Sequence, residues 1–361
     1  MPLVSTVLII GAGDLGERFA AGLAAAGQVD RLVLVSRSGA AEAAATIASS
    51  YDCVVESMAA DASRPDEVAK LIFKTDPALI VLSASGRGPY ALADRDDEAA
   101  RVIGAAGFAL RLPYNLPVPL AVMQAVTDAG WEGPVANVSF PDVTGPVLAR
   151  LGLAPTVGLG NVAMILLRAR SVLRARDPGA ELPLLRVLAH HSQLMGVRQS
   201  RLPDDPAARP RVYVGEDGVL DDTLAYQGPP LAPDPRRSNF ATAASSIPVL
   251  YALLAGARPL RWSTPSPGGR PGGYPVRIDQ GEVSLDLPPG LTEEQAVRYN
   301  EQQGLADGVE RIDDDGTVHF TETVREAVAA VDPGLAEPLE IGDLGARADR
   351  LDTALRFGNS L

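Results

Sequence analysis

The sequence predicts an α/β protein in which an N-terminal doubly wound parallel sheet precedes a C-terminal α+β substrate domain. Three observations carry this expectation. An apolar, β-branched run at the start leads directly into a glycine-rich turn. Strand and helix patterns then alternate regularly through Ser139, the order that produces a parallel sheet covered on both faces. Residues 200–239 are rich in Pro, Asp and Arg, with little regular pattern, and separate further strand and helix patterns on either side. A chain of 361 residues accommodates two domains, and the expected division is 1–145 and 146–361.

The elements follow in order. Residues 3–10 read as the first strand, and Gly11, Ala12, Gly13, Asp14, Leu15 and Gly16 separate it from a helix over 17–26. G-x-G-x-x-G between a strand and a helix is the dinucleotide-binding fingerprint of a Rossmann domain. Gly11 permits the tight turn, Gly13 lets the backbone approach a pyrophosphate, and Gly16 lets helix and strand pack closely. The free N–H groups of the helix N-terminus, which include those of Asp14 and Leu15, then face the phosphates.

A second strand over 31–35 ends at Ser36, Arg37 and Ser38. An NAD enzyme places an acid here for the ribose 2′-hydroxyl. An arginine between two serines instead suits a 2′-phosphate, so the expected cofactor is NADP (NADPH). The plain alternative is a solvated loop arginine. A third strand over 53–57 precedes Asp61, expected to meet the adenine. A helix over 65–73 leads to a fourth strand over 79–82, whose end at Ser83 and Ala84 lets the cofactor backbone lie close.

Residues 87–101 read either as a mobile loop that closes over substrate or as an ordinary solvated helix start around Asp94 and Asp96. An amphipathic helix over 112–129 and a fifth strand over 134–139 complete this half.

Hydrophobic residues make up 46% of the chain and charged ones 21%, the balance of an ordinary globular core. A net charge of −13 argues against nucleic acid as a partner. No apolar run is long enough to span a bilayer. The first residues lack a basic segment before their apolar run, which predicts a cytoplasmic protein with no membrane attachment. The single cysteine, Cys53, excludes an internal disulfide and is expected as a small buried hydrophobe. No metal site is expected.

The later motifs carry a family resemblance. The turn after strand five reads Ser139-Phe140-Pro141-Asp142, the next strand and turn run through residues 156–161, and residues 187–192 contain His190 and His191. A helix opening at residues 241–244, a hairpin over 273–283 and a late helix starting at 291–294 follow. This order resembles the lactate/malate dehydrogenase superfamily, which includes the NAD-dependent family-4 glycosidases. The resemblance implies a nicotinamide cofactor, a small-molecule substrate, and His191 as the proton-exchanging residue on a strand. It further implies substrate contacts from Arg168, Asn137 and Thr242, and a homo-oligomer, dimer or tetramer.

The departures are equally specific. The helix following Asn161 carries no Asp, so His191 is expected to lack the acid that orients it in this superfamily. Phe140 stands at the turn asparagine position, with Asn137 three residues earlier. Gly160 replaces the cysteine that the glycosidases use for metal.

Of three histidines, His319 reads as a surface strand residue. Consecutive residues on a strand face opposite ways, so only one of His190 and His191 is expected in the pocket. Tyr114 and Tyr274 are the alternative proton donors. Residues 200–239 and 263–273 read as functional flaps, subunit contacts or passive surface.

The expected activity is hydride transfer between NADPH and a C=O or C=N bond of a small organic substrate, an NADP-dependent oxidoreductase. The alternatives are a non-catalytic dinucleotide sensor, or less favoured, a family-4-glycosidase-like or opine-type enzyme.

Overall fold

The computed structural model describes residues 5–88, 91–92, 95, 97–231 and 234–356; Asp94, Asp96 and Pro233 of the expected loops lie outside them. The first elements are β1 (Thr6–Ile10), α1 (Asp14–Ala25), β2 (Arg31–Ser36), α2 (Ala41–Ser50), β3 (Val54–Ala59), α3 (Pro65–Thr75) and β4 (Leu79–Leu82). Next come α4 (Glu98–Ala106), a 3₁₀ turn (Phe108–Arg111), α5 (Leu112–Asn115), α6 (Pro117–Asp128), β5 (Val135–Asn137), α7 (Pro141–Arg150) and β6 (Val157–Gly158).

These six strands form one parallel sheet in the order β3-β2-β1-β4-β5-β6. Its central strands are apolar throughout because both faces are covered. Alternation sorts their side chains into two cores. Val7, Ile9, Leu32, Leu34, Leu79 and Val81 enter one, while Leu8, Ile10, Val33, Val35, Ile80 and Leu82 enter the other. Each such fully buried side chain contributes about 1.5–3 kcal/mol. The strand order reverses between β1 and β4, which opens a crevice at their C-terminal ends.

The second half contains α8 (Val162–Arg176), β7 (Leu185–Leu188), α9 (His191–Arg198), β8 (Arg211–Val214), β9 (Val219–Leu220), α10 (Pro235–Ala252), β10 (Leu260–Pro265), β11 (Gly273–Asp279) and β12 (Glu282–Leu285). Then follow α11 (Glu293–Gly304), a 3₁₀ turn (Leu305–Asp307), β13 (Val309–Ile312), β14 (Val318–Phe320), α12 (Glu322–Ala329) and α13 (Leu344–Ala354). Strands β7-β8-β9 and β10-β11-β12 make two antiparallel sheets. The first core continues through α8, β7, α10 and β10; the second takes in β14, α12 and α13. Tyr251 of α10 stitches the halves by donating its hydroxyl to the carbonyls of Gly22 and Leu23 at 2.9 and 2.6 Å.

Several expected elements are corrected. The single helix over 112–129 is broken, with α5 ending at Asn115 and α6 starting at Pro117, because prolines favour the first turn of a new helix. Residues 263–265 belong to strand β10 rather than to a loop. The helix expected to open at 241–244 starts at Pro235, so Thr242 lies inside it. Cys53 is half-buried, and burial pushes its thiol pKa up.

Candidate active site

The glycine loop has the geometry its sequence requires. Gly11 sits at φ 107°, and a Cβ there would lie 2.4 Å from the backbone nitrogen of Ala84. A Cβ on Gly16 would lie 1.9 Å from the carbonyl oxygen of Gly11. At Gly13 a Cβ would meet nothing within 4 Å, so space remains above the loop. Gly13 is the N-cap of α1 and no side chain caps that terminus, whose N–H groups suit an anion.

Ser83 donates its hydroxyl to the Gly11 carbonyl at 2.6 Å and fixes the loop against β4. Leu15 packs on the core. The Asp14 carboxylate accepts from Arg18 at 2.8 Å and from Asn239 at 2.7 Å.

At the end of β2, Ser36 donates to the Gly39 carbonyl at 2.7 Å and closes a turn. That turn leaves Arg37 and Ser38 exposed. Asp61 is engaged by its own turn, accepting from the hydroxyl and N–H of Ser63 at 2.7 and 3.0 Å. Those bonds, with the nearby charge of Arg37, hold its carboxyl below the usual pKa. These residues fit a dinucleotide: an open glycine, a free helix N-terminus, and a cation at the tip of β2.

The second cluster forms around His191. Strand β7 ends at Leu188, so His190 and His191 are not alternating strand residues; His190 caps α9 and His191 is its first residue. The reason for expecting only one of them in the site, alternation along a strand, therefore does not hold, although His191 is 22% exposed and His190 only 2%. Both rings reach Asp307: its Oδ2 lies 2.9 Å from Nδ1 of His191 and 3.1 Å from Nδ1 of His190.

The expected absence of an acid partner is therefore also corrected. The acid comes not from α8 but from the 3₁₀ turn after α11, where Gly107 admits it. A Cβ at Gly107 would lie 2.5 Å from the Asp307 carbonyl oxygen.

Phe108 and Phe140 flank the His191 ring at centroid distances of 4.8 and 5.0 Å. Asp142, 1% exposed, accepts the backbone N–H of His191 at 2.8 Å and a second bond from the Asn161 amide. Phe140 and Asn161 both have positive φ, 45° and 40°, so two costly backbone conformations converge on this point. Arg111 adds a cation whose guanidinium lies 4.6 Å over the Phe108 ring.

Burial acts to lower the His191 pKa, but the charge and hydrogen bond of Asp307, with Asp142 behind, outweigh it and the net shift is upward. Asp307 moves oppositely: burial raises its pKa, while the two histidines pull it well below the usual carboxylate range. Arg111 opposes the rise at His191, and burial lowers the pKa of Arg111 itself.

The other expected residues lie in different settings. Asn137, 1% exposed, donates to Thr144 Oγ1 at 3.0 Å and accepts from the Ser139 N–H at 2.9 Å, so it builds the turn that leads to Phe140. Arg168 donates to the Pro229 carbonyl and to Ser200 Oγ, tying α8 to the segment after α9. Thr242 donates within α10 to the Ser238 carbonyl at 3.0 Å and touches Met164.

His319 is on β14, with Nε2 2.7 Å from Asp313. Tyr114 donates to Asp352 at 2.6 Å, and Tyr274 is fully buried. Asp142, Asp307 and Arg111 were not singled out from sequence. Asp307 had one local signal, its place before Gly308 at φ 95° in a turn that ends a capped helix.

A family model described as the KR domain matches residues 5–88. Among solved structures, a lactate dehydrogenase from a Medee basin deep-sea metagenome library is 14% identical with a TM-score of 0.50, over 84% of this chain and 96% of that one. The ligand-bound minor L-lactate dehydrogenase of Enterococcus mundtii is 16% identical with a TM-score of 0.51, over 83% and 95%. The apo malate dehydrogenase of Picrophilus torridus is 16% identical with a TM-score of 0.51, over 84% and 97%.

No curated protein sequence matches the chain. The chain has the fold of the lactate and malate dehydrogenases, a Rossmann-type parallel sheet followed by antiparallel sheets. The resemblance expected from sequence is met at the level of fold. Among the described residues no helix is long and apolar enough to cross a membrane.

Proposed function

We propose that this protein is an NADP-dependent oxidoreductase that interconverts a C=O or C=N group and its reduced form on a small organic substrate. One observation carries the reading: a buried carboxylate holds Nδ1 of a partly exposed histidine within a fold that binds ligands beyond its strand C-termini. When bound, NADPH would supply the hydride. The chain would hold it through the N–H groups around Gly13 and α1, with Arg37 and Ser38 toward a 2′-phosphate.

The remaining work belongs to the protein. Asp307 occupies Nδ1 of His191, which leaves Nε2 to exchange a proton with the substrate heteroatom. The upward shift of its pKa, caused by the Asp307 carboxylate, favours the protonated ring that the reducing direction needs. Phe108 and Phe140 restrict water around the ring, and the Asp142 bond to the His191 backbone fixes where the ring starts.

Fluorescence titration of the purified chain with NADPH and with NADH, followed by a screen of carbonyls and imines with the tighter coenzyme, tests the reading. Tighter binding of NADPH is expected. No binding of either at millimolar concentration would remove it.

A further inference from the structure

Nδ1 of His190 has two neighbours that need opposite protonation. The Ser192 N–H lies 3.4 Å away and needs a bare Nδ1 as acceptor; Asp307 Oδ2 lies 3.1 Å away and needs an Nδ1–H donor. One tautomer serves only one of them. The approach to the carboxylate is the shorter of the two and its acceptor is charged, so a proton on Nδ1 gains more there than a bare Nδ1 gains from the Ser192 N–H. The opposite tautomer would turn a lone pair toward a buried carboxylate, where repulsion is poorly screened.

The surroundings hold His190 in place without the Ser192 N–H. Its backbone N–H donates to Gln193 Oε1 at 2.9 Å, and its side chain is 2% exposed. Gln193 donates to Tyr299 Oη at 2.8 Å, and Ser192 Oγ donates to the Gln303 carbonyl at 3.0 Å. The start of α9 is thereby sewn to the end of α11, the helix that leads into Asp307.

We propose that His190 is a positioning residue: its Nδ1–H, donated to Asp307, holds the carboxylate that His191 uses. This rests on the reading of His191 as the proton-exchanging group. Oδ2 then receives two imidazoles while Oδ1 receives His191 alone, at 3.1 Å. The shared carboxylate has a fixed plane and less charge to give to His191, which therefore still releases its proton. The charged and titratable groups facing His191 are Asp307, Asp142, Arg111 and, through Asp307, His190.

Ring ¹⁵N chemical shifts of the full chain, labelled at histidine and free of coenzyme, test this between about pH 5 and about pH 9. Only three histidines need assigning. His190 is expected as the Nδ1–H tautomer, and a bare Nδ1 with the proton on Nε2 overturns the proposal. In His190→Leu the His191 titration is expected to move up by about half a unit or more. His190→Asn, whose amide replaces the Nδ1–H donor, is expected to return it.

A His191 titration that stays put or falls in the leucine variant overturns the proposal, as does an asparagine variant that behaves like leucine. If His190→Leu does not fold, the wild-type tautomer still decides. Absence of NADPH binding would sink the oxidoreductase reading while leaving these ring shifts as they are.

Discussion

Asp307 and His191 stand 116 residues apart in the chain, yet Oδ2 of one lies 2.9 Å from Nδ1 of the other. The pair has a definite pH window. The folded pKa of His191 lies above its ordinary 6.5, so its contribution to stability is complete below that value and is lost as pH rises through the folded pKa. The folded pKa of Asp307 lies below its ordinary 3.8, so its contribution is present above that value and is lost as pH falls through the folded pKa. The pair stabilises the fold most between about pH 4 and about pH 6.5.

Asp307→Asn is therefore expected to destabilise by about 1–3 kcal/mol inside that window, because a buried charged hydrogen bond becomes a neutral one. Urea unfolding at several pH values reads this out. The gap to wild type should narrow as pH rises past the His191 titration; a gap that widens instead contradicts the pairing.

His191→Ala removes the proton exchanger but none of the residues around Gly13 or Arg37. Turnover is expected to fall by about 10²–10⁴-fold, with NADPH affinity within about twofold of wild type. Stopped-flow reduction of the compound returned by the carbonyl screen, beside a fluorescence titration, separates the two effects. Wild-type turnover would take His191 out of the chemistry.

The first half was legible because its information is local. Gly11, Gly13 and Gly16 act on neighbours within a few residues, and the apolar runs of β1, β2 and β4 are continuous because both sheet faces are covered. The site around His191 was not, because its parts arrive from Asp142, Arg111 and Asp307 on three separate segments. No periodicity links Asp307 to a histidine across the strands of two sheets and the helices α9, α10 and α11.

The misreading of residues 187–192 as strand has a local cause. Val187, Leu188 and Ala189 are apolar enough to extend a strand pattern, while the helix is started by the Gln193 side chain reaching back to cap the His190 N–H.

Two glycines of the loop are expected to fail differently. At Gly13 an added methyl meets open space at an ordinary φ of −93°, so Gly13→Ala should change stability by no more than about 0.5 kcal/mol. It should weaken NADPH binding by about tenfold or more, since the methyl occupies the approach of the pyrophosphate. Gly16→Ala drives a Cβ into the Gly11 carbonyl and should lower Tm before any coenzyme is added. Equal thermal melts for the two variants would remove the distinction.

Arg37→Glu tests the coenzyme preference alone, because the side chain is exposed at the tip after β2. NADPH affinity is expected to fall by about 10–100-fold, or about 1.4–2.8 kcal/mol. NADH affinity should hold or improve, since a carboxylate can accept from a ribose 2′-hydroxyl. Parallel loss of both coenzymes would mean that Arg37 does not discriminate between them.

The last relationship joins the segment after β4 to the C-terminal helix. Arg87 donates to both oxygens of Asp352 at 2.7 and 2.6 Å, and Tyr114 of α5 donates to the same carboxylate at 2.6 Å. The side chains of Arg87 and Asp352 are only 17% and 12% exposed. Burial raises the Asp352 pKa, but the Arg87 and Tyr114 bonds outweigh it and the net shift is downward. The stabilisation is therefore present above pH 3.8 and is lost as pH falls through the folded value.

Asp352→Ala removes the carboxylate that the Arg87 guanidinium and the Tyr114 hydroxyl share in a largely buried setting, and is expected to cost about 3–5 kcal/mol. Arg87→Met combined with Asp352→Leu replaces the ion pair by apolar contact and should recover much of that loss. Denaturant midpoints of the two variants decide the matter: a double variant as unstable as Asp352→Ala would show that packing of α13, not the buried pair, fixes the C-terminal helix.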